Sequence, residues 1–348
     1  MANPLAKTAL KGVTILAGSA AALKSCWWLY STFGIDHHVA LPPALDAARR
    51  ELQTASVGKL SYYKDAQPGR TDSTPLVLIH SVNAAASAFE VRPLFERFRG
   101  ERSVYALELP GFGFSDRADR AYTPELYVEA LLEFLATLEE VADVVALSLS
   151  SEFLAQAAVK QPERFRSLTF ISPTGMNTKR EARASDKAGK RGGNDTFYQI
   201  VSQPLWARAF FDLIATRPSI RYFLQQSFVG DVPRDLEHYA YLTSHQPGAE
   251  HAPLTFVSGK LFTPDIRERV YERLSVPTLV LYDTDAFVSF ETLPELLVVN
   301  PNVRAQRLAP SRGLPHFDLP ERTAQVLHDF WRHQRGTLAD GGDATLGV

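Results

Sequence analysis

The hydrophobic pattern of residues 57–335 alternates between short apolar runs and longer segments with helical spacing. The run LVLIH at 76–80 is continuously apolar, which is typical of a strand buried on both faces of a parallel sheet. Residues 57–66 instead alternate apolar and polar positions, and this predicts an exposed antiparallel strand. The remaining predicted strands are 103–109, 143–148, 166–172, 277–283 and 303–309.

Helices are predicted between these strands, with a start motif at Thr123 (N-cap) and Pro124 (first turn). They cover residues 86–99, 123–140, 149–160, 290–299 and 320–334. Strands that alternate with helices predict an α/β fold, a mainly parallel sheet of the eight-stranded type flanked by helices.

This alternation stops after Pro173 for about 100 residues. Residues 178–195 are polar and basic and predict a surface loop, whereas 196–272 predict several helices rich in aromatic residues, Leu and Arg. The expected organisation is therefore a core of 50–173 and 273–336, a helical cap insertion at 174–272, and a disordered tail at 337–348.

The N-terminal segment 1–40 is apolar but lies outside the predicted core. Only residues 12–23 are free of charge, between Lys11 and Lys24. Because a membrane-spanning helix needs roughly 20 apolar residues, a span is possible but is penalised by Lys24.

Helical spacing within residues 5–35 favours a different interpretation. It places Lys7 and Lys11 on one face and Leu16, Leu23 and Trp27 on the opposite face. This pattern predicts an interfacial helix on a membrane surface, with the rest of the chain cytoplasmic. A helix docked on this protein or on a partner protein, and a cleaved signal peptide, are the alternatives.

Composition excludes several classes of function. The formal net charge of −2 gives no reason to expect nucleic acid as a partner. The single cysteine, Cys26, can form neither an intrachain disulfide nor a cysteine metal cluster, and no HExxH motif occurs. We therefore expect no metal and no organic cofactor.

Three serines stand close together in VVALSLSSEFLA, residues 144–155, where a predicted strand meets a helix. A nucleophile at such a turn needs small residues two positions before and two positions after it. Ser148 meets this requirement through Ala146 and Ser150, whereas either later serine would place a larger residue at one of these positions. The sequence thus predicts Ser148 as the nucleophile.

A serine nucleophile needs a general base and a group that orients this base, and in this kind of sheet the acid precedes the histidine. His316 lies in RGLPHFDLPE, between the last strand and the last helix, and is the predicted base. The segment YDTDAFVSFE offers Asp283 and Asp285 after the strand at 277–283. We favour Asp285, with Asp283 as the alternative. Two main-chain N–H groups, of Val82 and Leu149, are predicted to bind the oxyanion.

Together, LVLIHS, LELPGFGFSD, ALSLSSEFLAQAA, PTLVLYDTDAFVS and GLPHFDLPE resemble the α/β-hydrolase superfamily with a helical cap. The pattern is most similar to the branch of esterases, C–C bond hydrolases and haloalkane dehalogenase-like proteins. Ser148 at the elbow argues against a dehalogenase or an epoxide hydrolase. Two departures are His80-Ser81, where the family usually has His-Gly, and the absence of glycine on both sides of the elbow.

The resemblance implies a serine hydrolase that cleaves an ester-like, fairly apolar small molecule. One alternative is a C–C bond hydrolase with the same triad. Another is a non-catalytic α/β-hydrolase-like subunit tethered to a membrane assembly, which the two departures favour.

Overall fold

An eight-stranded sheet organises the chain in a computed structural model, which describes residues 25–65, 72–178 and 193–340. The strand order is β1-β2-β4-β3-β5-β6-β7-β8. Strand β2 pairs antiparallel with both β1 and β4, and all other pairs are parallel. The strands are β1 (Ala48–Thr54), β2 (Gly58–Asp65), β3 (Asp72–Ile79), β4 (Arg102–Leu107), β5 (Ala142–Leu147), β6 (Phe165–Ile171), β7 (Thr278–Tyr282) and β8 (Val303–Arg307).

Helices cover both faces of this sheet, which confirms the predicted α/β architecture. The helices are α1 (25–34), α2 (Arg92–Phe98), α3 (Pro124–Leu135), α4 (Ser150–Lys160), α5 (Asp195–Val201), α6 (Ala207–Ile214), α7 (Arg217–Gln225), α8 (Arg234–Ser244), α9 (His251–Val257), α10 (Ile266–Arg269), α11 (Leu293–Val299), α12 (Pro315–Asp318) and α13 (Pro320–Asp340). Three short 3-10 turns lie at Ala88–Val91, Pro162–Arg164 and Tyr271–Arg273.

The central strands are mainly apolar because each contributes to two cores. In β5, Val144 and Ala146 join the core that contains residues of α3 and α4, whereas Val145 and Leu147 join the core that contains residues of α2 and α13. Alternate side chains of a strand point to opposite faces of the sheet, so a strand covered on both sides needs no polar positions. Strand β1, which the apolar pattern does not predict, lies at the sheet edge and has exposed residues at its first four positions.

Helices α5 to α10 are inserted between β6 and β7, where the sequence predicts the cap. They have a small core of their own, formed by Val201, Ala207, Phe211, Ala215, Ala249 and Leu254. The predicted basic loop at 178–195 falls mostly on residues 179–192, outside the described part of the chain. The last helix continues to Asp340 and includes the first residues of the tail that the sequence predicts to be disordered, and 341–348 also lie outside the described residues.

Helix α1 packs on the cap through polar contacts. Trp27 Nε1 donates a hydrogen bond to the Ala209 carbonyl oxygen (2.6 Å), and the Ser31 hydroxyl donates to the buried carboxylate of Asp212 (2.5 Å). His37 Nε2 contacts the same carboxylate at 2.9 Å. The described part of the segment 1–40 is thus docked on the protein. Residues 5–24, on which most of the predicted amphipathic pattern falls, are not described.

No helix within the described residues has the length and apolar character needed to cross a membrane.

Candidate active site

Ser148 occupies a sharp turn between β5 and α4. Its φ of +50° lies in the left-handed region, which residues other than glycine rarely adopt. The turn is fixed by a hydrogen bond from the Ser148 N–H to the Ile171 carbonyl oxygen at the end of β6 (2.8 Å). A strained serine between a buried strand and a helix has the geometry of a nucleophile elbow.

The two neighbouring serines have hydroxyl groups that are already engaged. Ser150 donates to the His80 carbonyl oxygen (2.6 Å), Ser151 donates to the Ala146 carbonyl oxygen (3.3 Å), and both serines are fully buried. Ser148 is half-buried, and its hydroxyl forms no recorded hydrogen bond with a described residue. Of the three serines, Ser148 is therefore the one whose hydroxyl is available for chemistry.

His316 lies on the short helix α12 and is completely buried. Its Nε2 donates a hydrogen bond to the main-chain oxygen of Glu90 (2.8 Å), and its Nδ1 has no partner among the described residues. Burial lowers the pKa of His316 to about 4, although the bond to Glu90 acts in the opposite direction. The imidazole is thus neutral near pH 7, with its proton on Nε2.

Asp285 lies in the loop after β7. Its carboxylate accepts hydrogen bonds from the N–H groups of Phe287 (2.7 Å) and Val288 (3.2 Å). Burial raises the pKa of Asp285, while these two N–H groups and the nearby Ser172 hydroxyl lower it. A Cβ atom added to Gly313 would lie 2.7 Å from Asp285 Oδ2, so the acid touches the loop that leads into His316.

Asp283 has a different environment. It accepts hydrogen bonds from Arg307 Nε (2.7 Å) and from the Ser311 N–H (2.9 Å). Burial alone would raise the pKa of Asp283, but these partners outweigh burial and lower it. The carboxylate therefore links β7 to β8 and to the loop that follows β8.

The structure places Ser148, Asp285 and His316 in the three connections that follow β5, β7 and β8, with His316 on the short helix α12. The carboxyl ends of these parallel strands form one edge of the sheet, where α/β folds bind their ligands. Within the described chain, no hydrogen bond is recorded between His316 and Ser148 or between His316 and Asp285. The imidazole bonds instead to the segment after β3.

The predicted oxyanion donors are both buried: Val82 is in the loop after β3, and Leu149 is beside Ser148. Neither N–H group is recorded as donating to another described residue. His80 holds the base of the loop, because its Nε2 accepts from the Leu109 N–H (3.0 Å) and its Nδ1 donates to the Ser81 carbonyl oxygen (2.6 Å). Burial lowers the pKa of His80 to about 4, so this arrangement uses the neutral ring.

Sequence reasoning missed two polar residues in this region. Glu90 is a buried acid on the 3-10 turn that follows the loop carrying Val82, and its position between Phe89 and Val91 is the feature that marks it in the sequence. Ser172 directly follows β6, has a φ of +47°, and lies beside Asp285 without a well-aligned hydrogen bond. No pattern in the sequence distinguishes Ser172 from other serines at strand ends.

A shallow surface depression lies between the core and the cap. It is lined by Ala84, Ala85, Ala86, Gly111, Phe112, Arg117, Thr243, Ser244, Ala249 and Pro253. Most of these residues are apolar, and the first three continue the loop that carries Val82. Across the described ranges, no group of three or more His, Cys, Asp or Glu side chains is arranged to hold a metal ion.

The sheet order, the inserted helices and the strained serine after β5 define a protein with the α/β-hydrolase fold. The chain belongs to the alpha/beta hydrolase family, whose family profile matches residues 76–326.

Similarity to individual proteins is more distant. A 2-hydroxymuconate semialdehyde hydrolase of Pseudomonas sp. (strain CF600) is 31% identical over 106 residues, which cover 30% of this chain and 38% of that protein. The chain thus matches well under half of this relative.

Two solved structures share the fold. A membrane phospholipase A, described as a bacterial virulence factor, superposes with a TM-score of 0.62 at 19% identity, covering 94% of this chain and 99% of its own. A thermophilic esterase from Thermogutta terrifontis has a TM-score of 0.62 at 18% identity, covering 83% and 99%.

Proposed function

We propose that this α/β hydrolase is a serine hydrolase that cleaves an ester-like, fairly apolar substrate. Ser148 is the nucleophile, His316 the general base, and Asp285 the acid that orients His316, while Val82 and Leu149 supply the oxyanion N–H groups. The observation that carries this proposal is the positive φ of Ser148 at the end of β5, together with a hydroxyl that no described residue engages.

In the first step, Ser148 Oγ attacks the ester carbonyl carbon and its proton passes to His316 Nε2. The resulting oxyanion accepts hydrogen bonds from the two main-chain N–H groups. Collapse breaks the ester C–O bond, and His316 returns the proton to the departing alcohol. Water then attacks the acyl-enzyme while His316 accepts a proton from it, and His316 returns this proton to Ser148 Oγ as the acyl–serine bond breaks, which releases the acid and restores Ser148.

This sequence of steps requires a rearrangement of His316. Nε2 must be unprotonated and must turn away from the Glu90 carbonyl oxygen, while the proton moves to Nδ1 and is donated to Asp285. The contact between Asp285 and Gly313 supports this pairing, because it brings the acid against the loop that carries the base. We infer that substrate binding between core and cap accompanies this change.

A fluorophosphonate probe tests the proposal, because it labels only an activated serine and needs no knowledge of the natural substrate. We expect labelling of the wild type and of Ser151→Ala, and none of Ser148→Ala. The wild type and Ser151→Ala should also hydrolyse p-nitrophenyl esters of increasing acyl length, whereas Ser148→Ala should not. Equal labelling of Ser148→Ala and the wild type would contradict the proposal, and no labelling of the wild type would favour a non-catalytic subunit.

A second candidate is hydrolysis of a C–C bond with the same triad. The similarity to a 2-hydroxymuconate semialdehyde hydrolase favours this candidate. A substrate panel that pairs p-nitrophenyl esters with ring-cleavage dienoates distinguishes the two, because the kcat/KM ratio between the classes identifies the preferred bond.

We also propose that the N-terminal segment places the enzyme at a membrane surface. The docked helix α1 leaves Trp28, Leu29 and Phe33 exposed to 41%, 48% and 79%. Aromatic and aliphatic side chains on one helix are typical of an interfacial anchor, and the chain continues from this helix into the apolar residues 5–24. An ester with an apolar acyl chain would be available at such a surface.

Flotation of the full chain with phosphatidylglycerol-containing vesicles tests this part of the proposal. Trp28→Asp and Phe33→Asp should weaken vesicle binding and leave hydrolysis of soluble esters unchanged. Val298→Asp is the matched control, because Val298 is 86% exposed on α11, outside both the cap and the N-terminal helix. Equal binding by all variants would show that the exposed face of α1 does not contact the membrane.

A further inference from the structure

The loop after β3, here called the oxyanion loop (residues 80–83), is attached to its surroundings at two places. At its base, the Ser150 hydroxyl donates to the His80 carbonyl oxygen (2.6 Å). Ser150 is two residues after Ser148, so this bond ties the loop to the elbow itself. Glycine, which the family usually has at the position of Ser150, could not make this contact.

The second attachment is the carboxylate of Glu90. Its Oε2 accepts the Ser81 N–H (2.8 Å), and its Oε1 accepts the side-chain amide of Asn83 (2.9 Å). The same amide also donates to the Ser81 hydroxyl (2.8 Å), and the Asn83 side-chain oxygen accepts the Ala85 N–H (2.7 Å). The loop residues on both sides of Val82 are thus bonded to one acid.

A buried carboxylate is costly unless each oxygen is paired, and here both oxygens accept from N–H donors. These donors favour the charged form of Glu90, whereas burial, which is the larger effect, raises the pKa of its carboxyl above the ordinary value. The bonds are also selective, because Ser81 and Asn83 are held by Glu90 whereas the intervening Val82 N–H has no recorded acceptor among the described residues. The Val82 N–H is therefore available to a ligand, as is the main-chain N–H of Asn83, whose side chain alone makes the bonds to Glu90 and Ser81.

We propose that Glu90 is the positioning residue of the oxyanion hole: its carboxylate holds Ser81 and Asn83 so that the Val82 N–H remains fixed and available to the substrate oxyanion. The role rests on the serine-hydrolase function proposed above. It replaces the glycine-based loop of the family, since this chain has Ser81 where the family usually has glycine. The Glu90 carboxylate does not touch the reacting atoms, and it acts through the loop.

The first test is Glu90→Gln, which preserves shape but turns an amide NH₂ toward one of the two donors. We expect kcat to fall by about tenfold or more with KM nearly unchanged, because the lost interaction acts only in the transition state. The affinity for an alkylboronic acid, which mimics the tetrahedral intermediate, should fall by a similar factor. Glu96→Gln is the matched control, since Glu96 lies nearby on α2 with a 56% exposed side chain.

The double variant Glu90→Gln/Asn83→Asp provides a rescue. The carboxylate then stands at position 83, where it accepts from the Ala85 N–H and from the new amide at 90, and the amide oxygen at 90 still accepts the Ser81 N–H. We expect kcat and boronate affinity to return to within about threefold of wild type, although Asn83→Asp alone brings two acids together and lowers both. Such a rescue would tie the effect to the hydrogen-bond pattern of the loop.

Unchanged kcat and boronate affinity in folded Glu90→Gln would overturn the proposal, and so would a lower melting temperature as the sole effect. Failure of the parent function is distinguishable, because in that case Ser148→Ala would keep wild-type turnover. If Glu90→Gln folds poorly, kcat and boronate affinity are compared between Asn83→Asp and the double variant instead. Higher values of both in the double variant would support the proposal, and equal values would overturn it.

Discussion

The imidazole of His316 donates its Nε2–H to the main-chain oxygen of Glu90, a residue 226 positions earlier in the chain. The predicted base therefore contacts the segment that holds the oxyanion loop. The ring is buried and neutral, and its Nδ1 has no hydrogen-bond partner among the described residues. This environment determines at which pH the base is available.

We predict that the acid limb of kcat/KM lies nearer pH 4 than pH 6.5. Burial lowers the pKa of His316 to about 4, and a general base works only when unprotonated, so activity should persist as the pH falls through 6 and 5. The measurement is kcat/KM for a p-nitrophenyl ester from pH 4 to 8, with Ser148→Ala as the background. An acid limb near 6.5 in folded enzyme would indicate a solvent-exposed base.

The two candidate acids should separate by substitution. Asp285→Asn is expected to lower kcat by roughly 10⁴-fold, the effect of the same replacement of a triad aspartate in a serine protease, with little change in stability. Asp283→Asn should keep kcat within a few-fold. It should instead cost about 1–2 kcal/mol of unfolding free energy, because it weakens the bonds to Arg307 and Ser311. Steady-state kinetics and urea unfolding of both variants decide the assignment, and the reverse pattern would identify Asp283 as the acid.

A buried charge cluster at the opposite end of the sheet should contribute to stability and not to catalysis. Asp143 is fully buried at the start of β5 and accepts from Arg102 Nη2 (2.6 Å), from Arg166 and from the Ser167 hydroxyl (2.6 Å). Its removal takes a buried carboxylate away from two buried guanidinium groups, so Asp143→Ala should lower the free energy of unfolding by about 3–5 kcal/mol.

The control for this variant is Asp329→Ala. Asp329 pairs with Arg332 at 3.8 Å on the surface, with side chains 55% and 72% exposed. An exposed pair of this kind contributes about 0–1 kcal/mol, so the control should unfold nearly like the wild type. Urea unfolding gives both values, and kcat per folded molecule should remain unchanged in both variants.

Glu108 should make stability depend on pH in a direction unusual for an acid. Burial raises its pKa to about 7 in the folded protein, from an ordinary value of 4.5, although the Phe114 N–H and Arg117 act in the opposite direction. Between these two values the folded state holds the proton more tightly than the unfolded state. Its contribution to stability is therefore present at low pH and is lost as the pH rises from about 4.5 to 7.

Glu108→Gln isolates this contribution, because His80 and His316 titrate in the opposite sense, with folded pKa values lowered to about 4. The stability of the variant relative to wild type should increase by about 3 kcal/mol between pH 4.5 and pH 8, at about 1.4 kcal/mol per pKa unit. Urea unfolding at four pH values measures this difference. A difference that does not change with pH would show that Glu108 titrates normally.

The sequence alone predicted the parallel strands, the helices between them, the inserted helices of the cap and the turn at Ser148. These features are local: a strand buried on both faces must be continuously apolar, and a tight turn needs small neighbours. Strand β1 was not predictable in this way, because an edge strand that faces solvent carries no apolar pattern.

Only the tertiary structure decided how the polar groups are paired. Ser31 meets Asp212, Ser150 meets His80, and His316 meets Glu90. Each of these pairs joins residues at least 70 positions apart. The energy of such a contact depends on how deeply it is buried and on which side chains surround it, and no pattern along the chain gives either. The roles of Glu90 and of the docked helix α1 are therefore seen only in the folded structure.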